Sequence, residues 1–146
     1  MSAEGSDRRG YGAGMTTIFI VDDDKDFLEL EERMLASQGY RVSCFSNPEA
    51  ALAALRTAEA PQLPGLLVTD LMMSALDSGF SLARAVKEDP RLARIPVIVV
   101  SAVASQKGFD FRPRTPADLA AMHADAFFDK PVSPQVFLAR VRELLG

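Results

Sequence analysis

The chain has 146 residues, enough for one domain with its own core, and its 48% hydrophobic and 25% charged residues are the balance of an ordinary globular protein. A formal net charge of −4 argues against a general nucleic-acid-binding face, which would have to be basic. A single cysteine, Cys44, excludes an internal disulfide and fits a reducing compartment. No apolar run approaches the ~20 residues of a membrane span and nothing at the N-terminus reads as a signal peptide, so the expectation is a soluble cytoplasmic protein.

Residues 1–15, opening "MSAEGSDRRGYGAG", are rich in Gly and Ser without periodicity and read as a flexible leader; residues 16–146 read as the folded domain. "TTIFIV" is short, apolar and β-branched, the pattern of a buried strand. From Asp26 a helix is predicted, with Phe27, Leu30 and Met34 facing inward and the surrounding glutamates, Glu29, Glu31 and Glu32, as a solvated face; Gly39 caps its end. "YRVSCF" is the second strand, with Cys44 expected as a small core residue.

In "SNPEAALAALRTAEA", Asn47 is the N-cap and Pro48 the first helical residue, and the helix packs through Ala51, Leu52 and Leu55. "GLLVTD" is the third strand and "FSLARAVKED" the third helix, stopped by Pro90. "IPVIVVSA" is the fourth strand. A long loop leads to "TPADLAAMHA", a helix that includes His123, expected as a surface or cap residue rather than a phosphohistidine, and starts with a capping box of Thr115 and Asp118 over Pro116. "AFFDK" is the fifth strand, and "SPQVFLARVRELLG" the last helix, with Phe137, Val141 and Leu144 on one face. Five strands alternating with helices predict an α/β fold: a flavodoxin-like, doubly wound (βα)5 with a parallel sheet in the order 2-1-3-4-5.

In such a sheet, ligands bind beyond the carboxyl ends of the strands. The first strand ends in Asp22, Asp23 and Asp24, the third in Asp70, the fourth in Ser101 and the fifth in Lys130, followed by Pro131. Crowded carboxylates repel one another, and a hard divalent cation relieves the repulsion. Two aspartates with no Cys or His nearby suit Mg²⁺ rather than Zn²⁺. An aspartate beside such an ion, faced by a lysine and a hydroxyl, is equipped for phosphoryl transfer with the carboxylate as nucleophile. Acidic residues after strands also serve as helix N-caps, and Asp24 or Asp26 has that simpler role.

The motifs "IVDDD", "LLVTDLMM", "PVIVVSA" and "FFDKP", in this order over residues 16–146, resemble the receiver domain of two-component response regulators. The resemblance implies that Asp70 accepts a phosphoryl group from a histidine kinase or a phosphotransfer protein. It makes Asp22, Asp23, Asp70 and the Met72 carbonyl the ligands of Mg²⁺ or Mn²⁺. Ser101 and Lys130 would hold phosphoryl oxygens, with Ser101 and Phe127 as the switch pair. Lys130–Pro131 would be a cis peptide bond. The face of the fourth helix, fifth strand and fifth helix would meet an unnamed downstream protein, with no direct contact to nucleic acid and no insertion into a membrane.

Several positions depart from the family pattern. Ser74 stands where proline is common, "ALDSGF" is one residue longer than the usual turn, and "VASQKGFDFRPRTP" is several residues longer than usual. The last reads either as a flap folding Phe109 and Phe111 onto the body or as a partner-binding element. Apolar Met72 and Val103 beside the path of the attacking water imply slow hydrolysis. A receiver-like binding module without phosphorylation and an aspartate-nucleophile phosphatase are the competing readings. A calcium loop fails, because Phe27 and Arg33 stand where glycine and glutamate are required.

Overall fold

The computed structural model describes residues 16–59, 62–70, 78–101 and 115–146. Five strands and five helices alternate among them: β1 (Thr17–Val21), α1 (Lys25–Ala36), β2 (Arg41–Phe45), α2 (Pro48–Thr57), β3 (Leu66–Asp70), α3 (Ser78–Glu88), β4 (Val97–Ser101), α4 (Pro116–Ala121), β5 (Ala126–Asp129) and α5 (Pro134–Leu145). The leader, Met72, Ser74, Val103 and residues 102–114 of the long loop lie outside the described residues.

All four strand pairings are parallel and the order is 2-1-3-4-5, as the sequence predicts. The central strands are covered on both faces, so their residues are apolar without alternation. Ile18 and Ile20 of β1 and Ile98 and Val100 of β4 face a layer built by α1 and α5. Phe19, Val21, Val97 and Val99 face the opposite layer, where Ala51 and Leu55 of α2 meet Leu82 and Val86 of α3. Phe137 and Val141 of α5 are fully buried, and Phe137 meets Phe128 edge-on at 5.7 Å between ring centroids.

The predicted punctuation holds. Asp24 caps α1, its side chain accepting from the amides of Asp26 and Phe27. Asn47 accepts from Ala50 and Thr115 from Asp118 at the starts of α2 and α4. Gly39 takes φ 89° just after α1, a left-handed conformation that costs glycine nothing.

Two expectations fail, each for a physical reason, and a third is met just outside its helix. The inward face of α1 carries Phe27 and Met34, as expected, together with Leu28, Glu31 and Leu35, but not Leu30. Leu30 is 49% exposed and Glu31 only 2%. Glu31 thus takes the inward place expected of Leu30, about 100° further round the helix, and puts a carboxyl where an apolar side chain should sit. Cys44 is exposed, because β2 is the sheet's edge and its outer side is only partly covered. His123 serves as the cap it was expected to be: α4 ends at Ala121, two residues before it, and His123 closes the helix end at φ 60°.

Candidate functional site at the carboxyl rim of the sheet

Parallel pairing brings the carboxyl ends of β1, β3, β4 and β5 to one edge. Asp22 follows the last residue of β1, its amide donating to the Phe45 carbonyl at 3.0 Å. Asp70 closes β3 opposite Val100, and Ser101 closes β4 opposite Asp129. The Lys130 amide donates to the Ser101 carbonyl at 3.0 Å, and the Lys130–Pro131 bond is cis. The strand ends therefore set where the lysine chain starts, and its length carries the ammonium back across the rim.

Lys130 Nζ lies 2.8 Å from Asp22 Oδ2 and 3.3 Å from Asp70 Oδ2. Carboxylate oxygens of Asp22, Asp23 and Asp70 all fall within 4.8 Å of one another, with Asp22 and Asp70 buried and Asp23 exposed. Asp22 Oδ1 also accepts from the Asp24 amide at 2.9 Å, which fixes the carboxylate plane. The ring of Phe27 flanks the ammonium, its centroid 4.3 Å from Nζ. Thr69 donates its hydroxyl to the Asp70 carbonyl at 3.0 Å in the dry interior of β3.

Burial raises the Asp22 pKa even against the hydrogen bond and charge of Lys130. For Lys130, burial works downward but is outweighed by the bond to Asp22 and the charge of Asp70, so the lysine is held above its ordinary value. The two directions are compatible: one ammonium shared between two carboxylates is well neutralised, whereas neither carboxylate is fully so. Three hard oxygen donors with one lysine among them suit a magnesium-sized cation, and among the described residues no cysteine or histidine joins the cluster.

Asp22, Asp23, Asp70 and Lys130 are thus brought together as the sequence implies. Ser101 sits on the same rim, buried at the end of β4. Phe127 is half-buried, packed against the α2–α3 side of the core, and also lines a cleft of about 820 Å³ between β5, α4 and α5. Met72 lies outside the described residues. Sequence reasoning missed two residues. Phe27 has its role through a tertiary contact that no local pattern encodes. Glu31 was detectable only through the phase of the helix, four residues from Phe27 and four from Leu35.

A family model described as the response regulator receiver domain matches residues 18–142. The transcriptional regulatory protein GltR of Pseudomonas aeruginosa is 33% identical over 132 residues, covering 88% of this chain and 48% of that protein. The response regulator PleD of Caulobacter vibrioides is 33% identical over 127 residues, covering 87% of this chain and 25% of that protein. The chain therefore spans about half the length of the first relative and a quarter of the second. A solved structure, the signal receiver domain of a signal transduction histidine kinase from Syntrophus aciditrophicus, is 28% identical, with a TM-score of 0.70 and 89% of each chain covered. Among the described residues no helix is long and apolar enough to cross a membrane. With the matched residues taking in all of the five strands but Thr17, the first residue of β1, and every charged member of the rim cluster, the chain belongs to the response regulator receiver domain family.

Proposed function

We propose that this receiver is phospho-accepting: residues 16–146 take a phosphoryl group from the phosphohistidine of a histidine kinase or a phosphotransfer protein onto Asp70, in the cytoplasm. The observation that most supports this is the gathering of three carboxylates around Lys130 at the carboxyl edge of a parallel sheet. An Asp70 oxygen forms the new O–P bond while the donor's N–P bond breaks, and the departing imidazole nitrogen takes a proton from solvent. Lys130, kept cationic by its two carboxylate partners, would hold one phosphoryl oxygen.

Asp22, Asp23 and Asp70, joined by the Met72 carbonyl, would hold Mg²⁺ or Mn²⁺; such an ion offsets negative charge on the transferred oxygens. Ser101 supplies a hydroxyl to a second oxygen, and Phe127 is the aromatic that turns with it. The signal leaves through α4, β5 and α5 to a protein partner. Met72 and Val103, both apolar, make hydrolysis of the phosphoryl group slow.

The test is incubation with acetyl phosphate and magnesium, followed by mass spectrometry. One acid-labile phosphoryl group on Asp70 is expected, absent without divalent cation and absent in Asp70→Asn. An adduct on another residue, or none, overturns the reading.

A further inference from the structure

Phe27 has no part in the chemistry above, yet it closes a path around the rim. The centroid of its ring lies 4.3 Å from Lys130 Nζ, within reach of a cation–π contact. Its amide donates to Asp24 Oδ1 at 3.2 Å, and the Asp24 amide donates to Asp22 Oδ1 at 2.9 Å. Lys130 Nζ donates to Asp22 Oδ2 at 2.8 Å, which brings the path back to the ring. The first turn of α1 sets where the ring stands, because Asp24 caps the helix and Phe27 is its third residue. The Phe27 side chain is half-buried and packs against the α1–α5 layer of the core, so it is anchored independently of the lysine.

Among the described residues, three side chains hold the ammonium, and they differ in kind. Asp22 and Asp70 hold it through carboxylate oxygens that also belong to the proposed cation site. A hard divalent ion would draw on those same oxygens. The ring holds it through the negative face of its π system and offers such an ion no oxygen ligand. Further along α1, Glu31 cannot stand in for the ring. Burial, then the charge of Asp22, pushes its pKa up to about 8, so it is mostly uncharged at neutral pH. The Lys130 side chain is only 13% exposed, and a ring face attracts a cation most strongly when water is excluded.

We propose that Phe27 is the positioning residue of Lys130: the face of its ring keeps the ammonium beside Asp70 when the carboxylates are drawn to a divalent ion, so that the lysine meets the incoming phosphoryl oxygen already in place. The ring touches no reacting atom and acts only through the lysine. Holding a flexible four-carbon side chain in one place before the reaction removes an ordering cost from the transfer step. A packing role alone would need no more than an apolar side chain of similar size, so the electrons of the ring separate the two roles.

This inference rests on the phospho-accepting reading, and one set of variants separates the two. In the full chain Phe27 is replaced by monofluoro-, trifluoro- and pentafluorophenylalanine, which stay close to the ring in size while draining negative charge from its face. Phe27→Leu completes the set. Without divalent ion, proton NMR is expected to show the Lys130 ε-methylene signals displaced upfield by the ring in the wild type, and not in Phe27→Leu. With magnesium and acetyl phosphate, the initial rate of Asp70 labelling is expected to fall stepwise with fluorination, by about fivefold in the pentafluoro variant, with Phe27→Leu equally slow. An even rate across the fluorinated series overturns the role of Phe27 and leaves Asp70 as the acceptor. Lys130 signals at the same position in wild type and Phe27→Leu overturn it as well. Absence of labelling in the wild type overturns the phospho-accepting reading and the role of Phe27 with it.

Discussion

Two lysines sit at opposite ends of the sheet, and their surroundings differ in one respect. Lys87, at the end of α3, donates to the carbonyls of Ala93 and Ile95 and pairs with Asp125 at 3.0 Å. Asp125 in turn accepts from the Val97 amide at 2.8 Å, where β4 begins. One cation meets one anion, and the remaining partners are neutral backbone groups. Lys130, at the carboxyl end, meets two carboxylates directly, with Asp23 beside them. The first arrangement is complete as it stands. The second has an excess of negative charge, which fits the cation site proposed above. A balanced network fastens the frame, while an unbalanced one is what the proposed cation would neutralise.

Removing each lysine should break the comparison most visibly. Lys130→Met leaves two buried carboxylates without their cation, and a loss of about 3 kcal/mol at neutral pH is expected in the absence of divalent ions. That loss should shrink as the medium is acidified and Asp22, whose pKa is already raised, takes a proton. Labelling of Asp70 should fall below detection. Lys87→Met removes hydrogen bonds that are partly open to water, so about 1 kcal/mol is expected, with labelling unchanged. Chemical denaturation with parallel labelling decides the matter; equal stability losses and equal labelling would erase the distinction.

Glu31→Leu sharpens the comparison at a second point. In the unfolded chain this carboxyl ionises near pH 4.5, but in the folded protein only near 8. Between those values the folded state holds a proton that the unfolded state has lost, so rising pH drains stability from the wild type. Below about pH 4.5 both states are protonated and the effect vanishes. Leucine removes the dependence, and at pH 8 a gain on the order of 3 kcal/mol is expected from thermal or denaturant unfolding. A variant no more stable than wild type at pH 8, or one whose advantage grows toward acid pH, would contradict the assignment of Glu31 as a protonated buried group.

These residues also show what a sequence can reveal. The rim was readable because each of Asp22, Asp70, Ser101 and Lys130 terminates or directly follows an apolar run, and a parallel sheet sends all such ends to one edge. The caps were readable because Asp24, Asn47 and Thr115 act within three residues of themselves. The phase of α1 was not. Leucine normally points inward and glutamate outward, and Leu30 and Glu31 reverse that rule side by side. Only packing against the sheet decides which of two neighbouring residues is enclosed. The exposure of Cys44 has the same origin, since coverage of an edge strand depends on layers contributed from elsewhere in the chain.

The smallest effect belongs to the frame end, close to Lys87 and Asp125. The end of α4 is closed by two bonds, from the His123 amide to the Ala120 carbonyl at 2.9 Å and from the Ala124 amide to the Leu119 carbonyl at 3.3 Å. This pattern requires a left-handed residue at His123, which has φ 60°. Glycine occupies that conformation without steric cost, although it also loosens the unfolded chain. His123→Gly should therefore stabilise the fold by only about 0.5 kcal/mol, with labelling at Asp70 unchanged. Because the histidine lies two residues before Asp125, the variant probes whether strain on the balanced side is felt at the unbalanced one. A stability gain accompanied by altered labelling would mean that the two ends of β5 communicate, and the division between frame and pocket drawn from the two lysines would then have to be abandoned.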